Sequence, residues 1–449
     1  MEIRLFLNGM LEVALSIGYI ALAIHLIRRW RIFQVEDFHE WVMPGLFLVK
    51  IAAALGLVWI YTDFYPDRAY ADIFRYYDDS AILHAAFTEA PMDYFRMLTG
   101  IDSGAPELSV YYDQMRNWFN TDLPFKDTRT IIRVCAFLRL FSMGTYFPLA
   151  IVLSFMAFTG LTGIFHAFRK HLPGRDALLV TVVFLLPSVL LWTSGIIKEA
   201  FLFFATGWTF YQLYRLIEEK RFSAARVINL LIAVVLLVTI KVYVFFLLLP
   251  LWMVWFLTAS GRFRFKPWSI IVFYICWNSM LGLIAPLVTG YSLPVLLAEK
   301  QADFYSVAAT EGASSMVSGY RLDGTWTSLF SNLPVALFRS LLLPMPDQAT
   351  NLLMWFSVLE NLAYIVFVMG AVYFGLRRKA DGVSPLLWSG LCFAVTLCIL
   401  VGLVTPIIGA LVRYKTPAIP FLLLFFSALT PASNTVLDRL IKVKSVSEE

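Results

Sequence analysis

RVINLLIAVVLLVTIKVYVFFLLLPLWMVWFLTA, residues 226–259, decides the fold class. After Arg226 its one charged residue is Lys241, and the flanks of that lysine are apolar almost without interruption. A hydrocarbon core of about 30 Å is crossed by about 20 helical residues. Barrel strands would alternate with a period of two, which this run does not do. We read two short spans here, 226–241 and 243–259, folded as a tight hairpin with Lys241 at its turn. The rest of the chain is of the same kind. Hydrophobic residues fill 59% of 449 positions and charged residues 15%, where a soluble chain carries about 25% charge. Mean hydropathy is +0.73. This excludes a soluble enzyme and gives no nucleic-acid signature. The expected class is all-α, a polytopic transmembrane helix bundle.

Outward from that stretch, further apolar runs lie near 5–27, 42–62, 144–168, 177–195, 199–216, 268–289, 351–376, 385–405 and 416–433. With the hairpin they make about eleven spans. Basic clusters at Arg28–Arg29–Arg31, Arg169–Lys170–Arg175, Lys220–Arg221–Arg226, Arg262–Arg264–Lys266, Arg377–Arg378–Lys379 and Arg439–Lys442–Lys444 fall on one side if the spans alternate. Short basic loops stay in the cytoplasm. The N-terminus is then outside and the C-terminus inside. Glu2, Arg4 and Glu12 do not suit a cleavable signal, and no small-residue cleavage site follows. We expect a single transmembrane domain, 1–449, with two outer loops, 63–143 and 290–350, carrying short interfacial helices. The first is acid-rich, with twelve Asp or Glu between 63 and 135 against seven Lys or Arg.

Lys198, Lys241, Arg413 and Lys415 stand out because all four fall in or beside short outer turns, against the charge rule. Their simplest use there is to hold an anion. Three local patterns surround them. In Ala71-Asp-Ile-Phe-Arg-Tyr-Tyr-Asp-Asp-Ser-Ala81 a helix puts Asp72, Tyr76 and Asp79 on one face, with Asp78 beside them. Paired carboxylates can bind a divalent cation or act as a general base; the plainer reading is a solvated acidic face. In Pro187-Ser-Val-Leu-Leu-Trp-Thr-Ser-Gly-Ile-Ile-Lys-Glu199 the glycine permits a tight turn, and Lys198 and Glu199 reach the outer boundary. Read plainly, Lys198 snorkels and Glu199 opens the next helix. In Thr405–Phe421, Arg413 offers a planar fork for phosphate and Lys415 a point charge, the alternative being bulk headgroup binding. Glu360 and Asn361 lie inside an apolar span. A carboxylate there is costly unless paired, and Lys198 or Arg339 is the expected partner, with Asn361 bonding to Glu360. The four cysteines, Cys135, Cys276, Cys392 and Cys398, are spaced for packing and not for a metal or a disulfide framework. His84 is the one histidine of the acidic loop. No phosphate-binding glycine loop, HExxH or internal repeat is present.

Together the three outer patterns resemble the GT-C superfamily of integral membrane glycosyltransferases, and most nearly a branch found among bacterial cell-surface polysaccharide genes. Similar proteins carry D-x-x-x-Y-x-x-D in an outer loop (Asp72, Tyr76, Asp79), P-S-x-x-x-W-[ST]-S-G-x-x-K-[ED] (Pro187 to Glu199), and G-A-L-x-R-Y-K-x-P-x-x-P-F (Gly409 to Phe421). The resemblance covers most of the chain in layout and these three stretches in residues. It implies an enzyme of the bacterial cytoplasmic membrane. The donor would be a polyprenyl-phosphate-linked sugar used at the outer face, and the acceptor a glycan or lipid. It implies Asp72 as catalytic base or metal ligand, with Asp79 and Asp78 as alternatives. Tyr76, Lys198, Glu199, Lys241, Arg413 and Lys415 would form the substrate site. No cofactor is required, and a divalent cation at Asp72 and Asp79 stays open. In well-known members the acidic loop follows the first span; here it follows the second, which leaves a related polymerase or ligase as an alternative. A transporter or flippase for a lipid-linked saccharide, coupled through Glu360, is the alternative of a different class, and a non-catalytic assembly subunit is a third.

Overall fold

The computed structural model describes residues 2–64, 71–116, 127–310, 315–317, 319–378, 382–432 and 436–442. Of the basic clusters, Lys379 and Lys444 fall outside these residues. The described chain is 80% helical with no strands. Seven helices are long and apolar enough to cross a membrane: Gly9–Arg29, Val42–Asp63, Tyr146–Arg169, Ala224–Ala259, Pro267–Thr289, Leu352–Arg377 and Pro385–Val404. An eighth crossing is available if Ile408–Lys415 and Ile419–Leu429, bent by 56° at their junction, count as one. Pro417 and Pro420 flank that bend, where a missing N–H and a fixed φ interrupt the helix. The chain is thus a polytopic helical membrane protein.

The stretch expected as two spans turning at Lys241 is two helical parts within Ala224–Ala259, joined across a kink at Lys241, whose φ of −149° and ψ of 82° are not helical. The break falls at the residue read as the turn. It also marks a division of the chain into two compact units, one of 1–167, 189–242 and 435–449, the other of 168–188 and 243–434.

In the first unit the helix Tyr146–Arg169 is the most enclosed of the long apolar helices. Its first turn carries N–H groups with no partner inside the helix. Glu12, from the first helix, supplies them: its Oε1 accepts from Tyr146 N at 3.0 Å and Phe147 N at 2.9 Å. The helix Lys198–Ile217 crosses it at backbone contact. A Cβ built on Gly207 would lie 1.8 Å from the Gly160 carbonyl oxygen, and one on Gly160 2.1 Å from that of Phe203. Between the second and third long apolar helices the chain packs as a helical pair, Asp72–Glu89 on Asp127–Ser142. Arginine anchors this pair: Arg139 donates to Ser80 Oγ (2.9 Å) and the Tyr77 carbonyl (2.7 Å) and stacks on the Tyr77 ring. Arg133 donates to the Met97 carbonyl (2.7 Å), and burial pushes its guanidinium down to about 10.

In the second unit, Gly402 lets the helix Pro385–Val404 meet Trp326–Leu342 closely; a Cβ there would lie 2.0 Å from the Ala336 carbonyl oxygen. Gln301 fastens a third piece, donating to the Leu403 carbonyl (2.7 Å) and accepting from Leu322 N (2.9 Å). Residues 315–317 lie along 406–408 through Val317 N to Pro406 O (2.7 Å) and Ile408 N to Ser315 O (3.0 Å).

Candidate functional site

The first and second sequence patterns come together in the first unit. Ala71, Ile73 and Phe74, from the start of the Asp72–Glu89 helix, share a buried apolar cluster with Ile197 and Ala200, with Leu57 and Tyr61 of the second helix, and with Ala157. The glycine of the turn works as expected: Gly195 has φ +104°, and its N–H donates to Ser154 Oγ at 3.1 Å. Only a residue without Cβ adopts that φ without strain. The turn delivers Lys198 as the first residue of the helix Lys198–Ile217.

Lys198 does not snorkel. Its Nζ donates to Asp127 Oδ2 and to Thr128 Oγ1, both at 2.9 Å, and stands 5.5 Å from the centre of the Tyr76 ring. Lys241, freed from helical geometry at the break, reaches the same Asp127 Oδ2 at 3.5 Å. Two cations from two helices therefore share one carboxylate. Burial alone would raise the Asp127 pKa; Lys198 and Lys241, the Lys198 hydrogen bond and the Thr128 backbone N–H reverse this and hold it well below the ordinary carboxylate range. Both ammonium groups draw on this one carboxylate at 2.9 and 3.5 Å, and Coulomb interactions are stronger in protein than in water.

The acidic helix is not a solvated face. Tyr76 is 3% exposed and Asp79 1%, and Asp79 Oδ1 accepts from the backbone N–H of Arg116 at 3.0 Å. Asp79 thereby ties the backbone at Arg116 to the helix. Asp72 is half-buried at the first position of the helix and Asp78 is exposed. Glu199 is buried in the first turn of its helix, where the positive end of the helix dipole favours a carboxylate. Among the described residues no group of three or more His, Cys, Asp or Glu is placed to hold a metal ion.

Arg413 and Lys415 belong to the second unit. Arg413 lies over the Tyr414 ring (5.2 Å), Tyr414 meets Phe304 (5.9 Å between centroids), and Lys300 lies over Phe304 (5.6 Å). Lys415 points inward: it is buried, and its Nζ donates to Asn361 Oδ1 (2.9 Å) and the Leu343 carbonyl (3.1 Å). The expected partners of Glu360 and Asn361 need correction. Asn361 serves Lys415 and not Glu360, and its amide also donates to the Leu342 carbonyl (3.1 Å). Glu360 accepts from the backbone N–H of Ser188 (2.8 Å), and neither Lys198 nor Arg339 is its hydrogen-bond donor. Arg339 is stacked on Tyr320 at 4.4 Å. The N–H that Glu360 takes is one that the helix break before Pro187 leaves without a helical acceptor.

Two residues of the first unit are absent from the sequence reading. Asp127 is one acid among twelve in its loop, and nothing in its neighbours marks it. Lys50 carries a signal that could have found it, a basic residue in the middle of the apolar run 42–62. It is 1% exposed and donates to Thr193 Oγ1 and to Ser194 Oγ (3.2 Å), inside the second sequence pattern.

No family model matches the chain, and neither a curated protein nor a solved structure does.

Proposed function

We propose that the chain is an integral membrane glycosyltransferase that uses a polyprenyl-phosphate-linked sugar at the outer face of a bacterial cytoplasmic membrane. The convergence of Lys198 and Lys241 on Asp127 beside Tyr76 carries this reading. The lipid phosphate is the leaving group, and cations placed where its charge develops lower the barrier. In the resting protein Asp127 balances the two lysines; the donor phosphate takes its place as their partner. The acceptor hydroxyl oxygen attacks the anomeric carbon, the bond from that carbon to the phosphate oxygen breaks, and the hydroxyl proton passes to Asp72.

This reading takes about eleven crossings, with 177–195 and 199–216 as spans and the two parts of 224–259 separated at Lys241. The N-terminus is then outside and the C-terminus inside. The test is transfer from a short-chain polyprenyl-phosphate sugar by purified protein. Transfer that depends on Lys198 and Lys241 supports the proposal, and transfer unchanged in Lys198→Met removes it.

One observation favours the flippase alternative. Glu360 and Tyr364 of the apolar helix Leu352–Arg378 form a polar cluster with Ser188 of Pro187–Trp192 (Ser188 Oγ to Tyr364 OH, 3.3 Å). Movement of a lipid-linked saccharide across vesicles, lost in Glu360→Gln without any transfer reaction, would establish that reading over the first.

A further inference from the structure

Lys50 lies well inside the apolar helix Val42–Phe64 and is almost wholly enclosed. Its Nζ donates to the hydroxyls of Thr193 and Ser194. Both hydroxyls spend their own protons on backbone carbonyls, Thr193 on Val189 (2.7 Å) and Ser194 on Leu190 (2.6 Å), so each presents lone pairs to the amine. No carboxylate among the described residues lies within ion-pair distance of Lys50. An ammonium has three donors and a large desolvation cost. Two hydroxyls without a counter-ion are a poor return on that cost if fold stability is the only purpose. What Lys50 grips is the turn Thr193–Ser194–Gly195, and four residues beyond Ser194 is Lys198. The same helix holds the other side of the turn through Leu57, whose Cδ2 lies 3.4 Å from where a Gly195 Cβ would be, and through Tyr61 in the cluster with Ile197.

We propose that Lys50 is a positioning residue for Lys198: it locks the Thr193–Ser194–Gly195 turn to the second helix and so sets Lys198 against Asp127 and Thr128. Its place in the donor site rests on the glycosyltransferase reading; its hold on Lys198 does not.

The test uses the full-length protein in detergent, with three readouts. The first is the infrared titration of the Asp127 carboxylate, assigned by its loss in Asp127→Asn. The second is the thermal midpoint, and the third is affinity for farnesyl phosphate. An opposite charge within about 4–6 Å lowers a carboxyl pKa by about 1–3 units. If Lys50 sets Lys198, Lys50→Met moves the Asp127 titration upward by about one unit or more. The thermal midpoint stays level or rises, because an apolar stem of similar length replaces a buried charge. Farnesyl phosphate affinity falls, and Lys50→Met adds no further loss once Lys198→Met is present, the signature of one residue acting through another. Ser194→Ala, which removes one of the two hydroxyls, shifts Asp127 in the same direction and serves if Lys50→Met does not fold. The Asp127 titration decides. Left in place by both substitutions, it overturns the proposal and makes Lys50 a fold residue. Shifted with no change in farnesyl phosphate affinity, it upholds the positioning role and counts against Lys198 as a donor contact.

Discussion

Asp127 gives the residue scale its clearest pH dependence. Its folded pKa is depressed, with burial opposing and Lys198 and Lys241 prevailing. A depressed carboxyl adds stability that is fully present above the unfolded value, near 3.9, and is lost as pH falls below it toward the folded value. Wild type should therefore lose stability across that acid window, and Asp127→Asn should show a flatter acid limb, measured as thermal midpoint against pH. Asp72 is tested through rate. Asp72→Asn keeps the shape and removes the base, so transfer should fall at least about 10²-fold at unchanged expression and midpoint; wild-type activity would move the base to Asp78 or Asp79. Cys135, buried in the Asp127–Ser142 helix, has its thiol pushed up to about 12 by burial. The thiolate is the reactive form, so Cys135 should resist maleimide at pH 8 until the protein is unfolded, as mass spectrometry of the 127–142 region would show.

Helix contacts are governed by where a Cβ has no room. Gly207→Ala forces the helices Tyr146–Arg169 and Lys198–Ile217 apart, since the added atom meets the Gly160 carbonyl. Overpacking of this kind costs about 1–3 kcal/mol, and the thermal midpoint in detergent should drop accordingly. Gly45→Ala, where nothing lies within 4 Å, is the control and should be neutral or slightly stabilising. What was legible at this scale followed cost. A lysine beside a short outer turn is expensive enough to stand out, so Lys198 and Lys241 could be named from the sequence. The break between two helical parts at Lys241 could also be placed. Asp127 could not be named, because an acid in an acid-rich segment costs nothing visible until its partners are known. Lys415 was read as an outer contact because the sequence does not reveal that Asn361 and the Leu343 carbonyl receive it inside. For Glu360 the sequence suggests Lys198 or Arg339; the base in electrostatic reach is Lys415, and the hydrogen-bond donor is the backbone N–H of Ser188, which only the helix break frees.

For the whole molecule, the proposed direction of the crossings is checked by labelling from the two faces. Asp102, exposed between the second and third long apolar helices, and Ser260, exposed between two later ones, lie on opposite faces in the proposed topology. In a background without native cysteines, Asp102→Cys should react with an impermeant maleimide in intact cells and Ser260→Cys only after permeabilisation. Labelling of both, or of Ser260→Cys alone, would reverse the orientation.

The close crossing at Gly160 and Gly207 also fixes an order of events. The helix Lys198–Ile217 is not among those long and apolar enough to enter lipid by composition, and it buries Glu199, Gln212 and Arg215. Its lodging comes from the neighbour it touches backbone to backbone. While the chain is being made, Tyr146–Arg169 must already be seated when residue 217 leaves the ribosome, and the later helix joins it as a pair. A reporter fused just after residue 217 should then integrate poorly when 146–169 is deleted, although the downstream sequence is unchanged.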